Sequence, residues 1–277
     1  MSDFAKSGKL KVGFKNDLRQ IVVVTQYEML RHLRSKKMYV FAGIGILILI
    51  LITAIGLAQE GGLPKDPQVL FSDYVSLMSI FIIVGVSLFC AATIASEFDE
   101  RTALLIFPRP MKRTSLFVGK ALACYIVCGG VIALYYGVSM AISLLNTGTI
   151  YPAAFASLGL ALLFMLGAGG FALLMSSLFS KGAFAVIITI ATLLLIFNII
   201  DGVGSIFSFE PIFSLTYAGM DISNVIVGNT TDLVYVEHMG WITVFYPEHG
   251  VAVAIMSVWA VVTTTLSAII FHRKEFT

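Results

Sequence analysis

Six long stretches without a charged residue dominate the sequence and limit what it can fold into. They cover approximately residues 39–58, 74–96, 121–145, 152–179, 182–200 and 251–271. About 20 helical residues cross a hydrocarbon core of roughly 30 Å, so each stretch is long enough to span a bilayer. Only 12% of the residues are charged, about half the share found in soluble domains. We predict an all-α integral membrane protein with six transmembrane helices.

The apolar sequence from residue 152 to residue 200, which contains the fourth and fifth stretches, is broken only at Ser180, Lys181 and Gly182. A lysine in the middle of a membrane helix costs about 2.5–3.5 kcal/mol, which favours a turn at Lys181 over one very long helix. The chain is therefore expected to consist of a cytoplasmic N-terminal segment, 1–38, and a six-helix transmembrane domain, 39–277.

The basic residues are distributed asymmetrically about these stretches. Of the 18 Lys and Arg residues, only Lys65 lies on the side opposite to the rest, and the segment 201–250 has no basic residue at all. The positive-inside rule then predicts a multi-pass protein of the cell membrane with both termini in the cytoplasm and 201–250 outside. The net charge of +2 suggests little by itself, because the placement of the basic residues in a membrane protein, and not their sum, reports its orientation. We expect no nucleic-acid partner.

Two segments outside the stretches also have patterns that predict local structure. Residues before the first span alternate between apolar and polar at helical spacing, which predicts an amphipathic helix at the membrane interface. The apolar positions are Leu18, Val22, Thr25, Met29 and Leu33, and the polar ones are Arg19, Glu28, Arg31 and Arg34. The segment 201–250 is rich in aromatic residues, which favours short helices at the outer interface between the fifth and sixth spans. It also holds a glycosylation sequon at Asn229, which matters only in a host that glycosylates.

Residues that carry hydrolytic or redox chemistry are scarce in the six stretches. The sequence has no His-Glu-x-x-His or Gly-x-Ser-x-Gly motif, and its four histidines lie outside the stretches. Cys90, Cys124 and Cys128 lie within them and are expected to serve as small packing residues. No phosphate loop occurs, so we expect no cofactor, ATP or metal to bind this chain. An intramembrane enzyme is disfavoured, and so is an ion-driven carrier, which commonly needs carboxylates near the midplane.

Two features of the stretches leave alternatives open. Their polar side chains could line a pathway or hydrogen-bond between helices; they are Ser87, Thr93, Ser139, Ser143, Thr189, Asn198, Thr263, Thr264 and Thr265. Ala168, Ala172 and Ser176 form a smooth face beside several glycines. Such a face suits either a contact within the chain or a seam between two chains.

The segment between the second and third spans has the most informative sequence. An acidic cluster leaves the second span, a short apolar turn follows, and a proline-flanked corner precedes a basic cluster. Proline ends helices, so this order predicts a compact cytoplasmic knob. Its residues are Glu97, Asp99, Glu100, Arg101, Thr102, Pro108, Arg109, Pro110 and Arg113, and Gly119-Lys120 follows. The positive-inside rule alone would explain the basic residues but not the order as a whole.

This order resembles the first inner loop of the type-2 exporter permeases of the ABC transporter superfamily. Arg101 stands where that family commonly has Gly before Thr102, and the proline around Arg109 is doubled. The resemblance implies a permease subunit that forms a substrate pathway as a homodimer or heterodimer. It also implies that the nine residues named above couple the chain to a separate ABC ATPase subunit, which would bind ATP and Mg²⁺. The alternatives are a secondary carrier or channel-like membrane protein and, less favoured, an intramembrane enzyme.

The predicted orientation can be tested with single cysteines introduced outside the spans. In intact cells, cysteines at Ser7, Thr114 and Thr277 should be shielded from a membrane-impermeant thiol reagent, whereas cysteines at Lys65 and Thr230 should react. Labelling of the Thr114→Cys variant from outside would overturn the orientation.

Overall fold

The computed structural model describes residues 14–58, 62–96, 113–236 and 240–273. Six of its helical stretches are long and apolar enough to cross a membrane, at the six predicted places. The predicted all-α, multi-pass membrane fold is therefore confirmed. The elements are α1 (Phe14–Leu33), α2 (Lys36–Ala58), α3 (Pro67–Val75), α4 (Met78–Thr93), α5 (Arg113–Thr147), α6 (Ala153–Leu178), α7 (Gly182–Ala191), α8 (Phe197–Ile206), α9 (Leu215–Gly219), α10 (Asp221–Val227), β1 (Asp232–Val236), β2 (Gly240–Val244) and α11 (His249–Arg273).

The second and fifth spans are each built from two helices. In the second, α3 begins at Pro67, where the Asp66 carboxylate accepts a hydrogen bond from the Gln68 amide at 2.9 Å. A break at Ser76 and Leu77 separates α3 from α4. In the fifth, one π-helical turn, Thr192–Ile196, joins α7 to α8. Such turns insert a residue into the helical ladder without ending the helix.

The third and fifth spans both continue past the charged residue at which the prediction ended them. The third span begins at Arg113 and includes Lys120, and the fifth runs to Ile206 and includes Asp201. Each charged side chain has a partner outside its own span: Lys120 pairs with Glu28, and one carboxylate oxygen of Asp201 accepts a hydrogen bond from the Thr216 hydroxyl at 2.6 Å. A paired charge no longer carries the full desolvation penalty that would end a membrane helix.

Helix α6 lies at the centre of the bundle and packs through its small residues. Gly167 and Gly170 face α11, where a Cβ on Gly167 would lie 3.2 Å from the Met256 carbonyl oxygen. Ser267 of α11 donates to the Leu173 carbonyl at 2.8 Å. Ser176 contacts the end of α4. The small-residue face of α6 therefore serves packing within the chain, as small residues do between membrane helices.

The remaining spans surround this centre unequally. The second, third and fourth spans are mostly buried, whereas the first, fifth and sixth turn most of their apolar side chains outward. An outward surface of this kind is stable against lipid and not against water. The six spans therefore form one bundle that needs a bilayer around it.

The segment between the fifth and sixth spans contains the predicted short helices, α9 and α10, and also a β-hairpin that was not predicted. Strands β1 and β2 pair antiparallel, with Asp232 opposite Val244 and Tyr235 opposite Trp241. Aromatic and β-branched residues are common to both strands, and such residues favour strands. The prediction assigned the aromatic residues of this segment to helices alone and therefore missed the hairpin.

The packing of α6 predicts different outcomes for two matched glycine substitutions. In Gly170→Ala the new Cβ would collide with the Thr263 hydroxyl and lie 2.7 Å from that of Thr264, so we expect a loss of about 1–3 kcal/mol of stability. In Gly137→Ala nothing lies within 4 Å, so stability should hold or rise slightly with helix propensity. Thermal unfolding in detergent measures both, and equal behaviour of the two variants would contradict the packing described.

Candidate functional site

The predicted site lies between the second and third spans, where only its last residue is described. Glu97, Asp99, Glu100, Arg101, Thr102, Pro108, Arg109 and Pro110 lie outside the described residues, and Arg113 is the first residue of α5. The structure does describe the two ends that hold this segment, Ser96 and Arg113. Ser96 and Arg113 lie at the end of the bundle on which α1 packs, and we call it the α1 end.

Helix α4 is fixed at the α1 end by a hydroxyl from α6. Ser176 Oγ, which is fully buried, accepts hydrogen bonds from the amides of Ile94 at 2.9 Å and Ala95 at 3.0 Å. Buried amides without a partner would be costly in an apolar bundle, so this contact determines where α4 ends. Gly182, at the start of α7, lies against Ser96. The chain therefore leaves α4 from a position held by α6 and α7.

The other end of the segment is held by the last span. The Arg113 guanidinium donates to the His272 carbonyl at 3.4 Å on the exposed rim of the bundle. One turn further along α5, the ring of Phe117 packs on that of Phe271, with centroids 5.8 Å apart. Helix α5 therefore begins beside the end of α11.

Helix α1 docks on α5 at a glycine. A Cβ on Gly119 would lie 2.7 Å from Val24 and 3.2 Å from the Ile21 carbonyl oxygen. The same residue accepts a hydrogen bond from the Thr25 hydroxyl at 3.2 Å. Glycine permits this close approach because it has no side chain. The predicted helix is confirmed, but its contact face is centred on Val24, and the apolar positions Leu18 and Val22 point outward.

A buried ion pair completes the contact between α1 and α5. Lys120 Nζ lies 2.5 Å from Glu28 Oε1, with the two side chains only 2% and 15% exposed. Burial alone would raise the pKa of the Glu28 carboxyl, but the Lys120 ammonium, assisted by Arg31 and His32, brings it below its usual range. Breaking such a pair by removing one partner typically costs about 3–5 kcal/mol. Gly119-Lys120 of the sequence pattern thus has a structural role in seating α1.

Beyond this pair, α1 contacts a cluster of thiols on α4 and α5. His32 Nε2 lies 3.5 Å from the Cys124 sulfur, and the Thr93 hydroxyl lies 3.1 Å from it. Cys90, Cys124 and Cys128 are all buried, and none of the three forms a disulfide. Within the described parts of the chain, no group of three His, Cys, Asp or Glu residues is placed to hold a metal ion. The sequence showed the cysteines but not the histidine that reaches them from α1.

A second polar cluster lies at the opposite end, around α9 and α10. Asp221 is fully buried and its Oδ1 lies 2.7 Å from His249 Nδ1 at the start of the sixth span. Burial raises the pKa of the Asp221 carboxyl, and the neighbouring His249 limits the rise. The Tyr217 hydroxyl donates to Glu210 at 2.6 Å. The sequence of the segment 201–250 contains two adjacent Glu-His pairs, Glu237-His238 and Glu248-His249. The first lies outside the described residues, and in the second His249 contacts Asp221.

The hydroxyls that could have lined a pathway mostly bond to their own helices. Ser87, Ser139 and Thr189 each donate to the carbonyl one turn earlier, at 2.7–2.9 Å. Thr265 and Asn198 do the same. These contacts give the five side chains a hydrogen-bond partner inside an apolar bundle. In the single chain as described, they form no polar route across the spans.

Comparison with known proteins assigns the family. The profile of the family described as "protein of unknown function (DUF2705)" matches residues 48–277. The chain belongs to this family. No curated protein matches it. The matched region of this DUF2705 protein includes both anchored ends and the segment between them, while α1 and the start of the first span precede it.

The ion pair between α1 and α5 predicts the behaviour of two variants. Lys120→Met leaves Glu28 buried without its partner, so we expect the free energy of unfolding to fall by about 3 kcal/mol. In the E28Q/K120M double variant no charge is left buried, so most of this loss should be recovered. Denaturant unfolding in mixed micelles, with proteolysis of α1 as a second measurement, tests both. A double variant as unstable as Lys120→Met would contradict the ion pair.

The same pair predicts how stability depends on pH. The folded-state pKa of Glu28 lies below its ordinary value, so the stabilisation is present at neutral pH and is lost as the pH falls through that lowered pKa. The E28Q/K120M variant should lack this acid-dependent step. If the free energy of unfolding falls with pH in the same way in the wild type and in the double variant, the ion pair does not cause the acid-dependent step.

Proposed function

We propose that this protein is the membrane-spanning permease subunit of an ATP-driven ABC exporter. In this proposal two permease chains, identical or paralogous, enclose the substrate pathway in the cell membrane with their termini in the cytoplasm. A separate ATPase subunit docks on the α1 end and binds ATP and Mg²⁺. The sequence of this chain contains no phosphate loop that would do so.

One observation carries the proposal: the segment whose sequence resembles a coupling loop runs between two anchored points of the bundle. Its first end follows Ser96, where Ser176 of α6 fixes the preceding turn. Its second end is Arg113, beside α11. A displacement of this segment would therefore act on α4 and α5 and, through their contacts, on α6 and α11.

The contact between α1 and α5 supports the same proposal. Through Glu28 and Lys120, α1 is joined to the first turns of α5, and it is followed directly by the first span. A push on the start of α5 would thus reach the first span as well. Helices joined by buried contacts move together when one of them is displaced, whereas a loosely attached loop would change its own conformation instead.

The use of the described polar side chains within one chain supports a pathway shared by two chains. The polar side chains of the described spans bond mostly within the bundle. The charged groups Lys120 and Asp201 are each partnered. A pathway between two copies would be lined by outward faces, which are uncharged and apolar, and would suit a cargo with an apolar part.

The coupling role predicts that changes in the segment uncouple the transporter without unfolding it. Replacing Glu100 and Arg109 together by alanine alters side chains outside the apolar spans, so membrane insertion and expression should be preserved. Binding of the ATPase, or ATP hydrolysis linked to transport, should fall severalfold or more. Co-purification and ATPase measurements on reconstituted complexes provide the readout.

A matched control is available on the opposite side of the membrane. The Lys65→Ala, Glu248→Ala double variant also removes one basic and one acidic side chain, and we expect it to retain ATPase binding and transport. Unchanged coupling in the Glu100→Ala, Arg109→Ala variant would refute the coupling role. So would an equal loss in both double variants.

A further inference from the structure

A cavity of about 220 Å³ opens at the α1 end, at the corner where α1 leads into the first span. It is bounded by the end of α1, the start of α2 and the last turn of α4. Its charged lining residues belong to α1 and α2, and α4 contributes apolar and hydroxyl side chains. The lining residues are Glu28, Arg31, His32, Ser35, Lys37, Phe89, Ala92, Thr93 and Ser96.

The lining carries an excess of positive charge. Arg31 and Lys37 contribute two cations. Glu28 is the only carboxylate among the described lining residues, and it contacts Lys120 on one side and Arg31, at 3.6 Å, on the other. The described lining therefore favours an anion over a cation.

The surroundings of the cavity are those of the membrane surface. Tyr27 and Leu30 on α1, and Tyr39 and Val40 on α2, are exposed apolar or amphipathic side chains on either side of the corner. Four basic residues fall within the short stretch Arg31, Arg34, Lys36 and Lys37, immediately before the apolar part of the first span. Clusters of this kind beside a membrane helix attract anionic lipids, at roughly 1 kcal/mol per basic residue.

We propose that this cavity binds the phosphate of an anionic glycerophospholipid. The guanidinium of Arg31 and the ammonium of Lys37 contact the phosphate oxygens, and the acyl chains lie along the exposed faces of α1 and α2. Arginine and lysine are the side chains best suited to phosphate, because they combine charge with several N–H donors. A bound lipid would connect α1, α2 and α4 close to Ser96, where the segment 97–112 begins.

The test is a titration of the purified chain in neutral detergent with short-chain phosphatidylglycerol. Phosphatidylcholine and soluble glycerol phosphate are run in parallel. We expect phosphatidylglycerol to raise the melting temperature in a saturable manner and to remain bound in native mass spectrometry. The other two compounds should do neither at the same concentrations. An equal effect of glycerol phosphate would contradict a lipid site and assign the cavity to free phosphate.

Matched variants separate the cavity from the general basic charge of the segment. Arg31→Gln with Lys37→Gln removes two lining cations and should weaken phosphatidylglycerol binding by about tenfold or more. Arg34→Gln with Lys36→Gln removes the same charge from exposed positions that do not line the cavity, and should weaken it much less. The R31K/K37R variant keeps both charges and should retain binding. Equal weakening by the two glutamine pairs would overturn the proposal.

Discussion

The close approach of helices to α6 is the contact on which the rest of the structure depends. Lipid offers no hydrophobic force that would drive apolar helices together, so membrane bundles rely on packing and on buried hydrogen bonds. Gly167 and Gly170 allow α11 to lie directly on α6. Ser176 then supplies the hydroxyl that fixes the end of α4. The bundle is therefore built outward from one helix whose small residues can be read in the sequence.

Contacts made at this centre determine the geometry of the α1 end. Because α4 and α11 are both held by α6, the two ends of the segment 97–112 are fixed relative to each other. Gly119 and Lys120 add α1 to the same body through a close backbone contact and a buried ion pair. A buried ion pair contributes little net stability, but it specifies one arrangement, since any other leaves a charge without its partner. The segment 97–112 thus starts and ends on one connected group of helices at the α1 end.

Much of the fold could be predicted from the sequence because the bilayer imposes a simple length requirement. Each apolar stretch of about 20 residues became a span. The boundaries at Lys120 and Asp201 could not be predicted, since their partners Glu28 and Thr216 lie far from them along the chain. The hairpin was missed because its aromatic residues fit a strand as well as a helix. In the candidate site, the order of residues from Glu97 to Arg113 was visible, whereas its anchors, Ser176 and His272, depend on tertiary contacts that no local pattern encodes.

The central claim is that the segment between α4 and α5 contacts an ATP-hydrolysing subunit, and site-specific photo-crosslinking in native membranes tests it most directly. A photoreactive residue at Thr102 should capture a protein that contains a phosphate loop, identified by mass spectrometry, and the captured complex should hydrolyse ATP. The same probe at Thr230 should capture no such protein. If the probe at Thr102 captures no ATPase while the chain is inserted and intact, or if both positions capture the same proteins, the account of this chain as a permease driven through that segment is wrong.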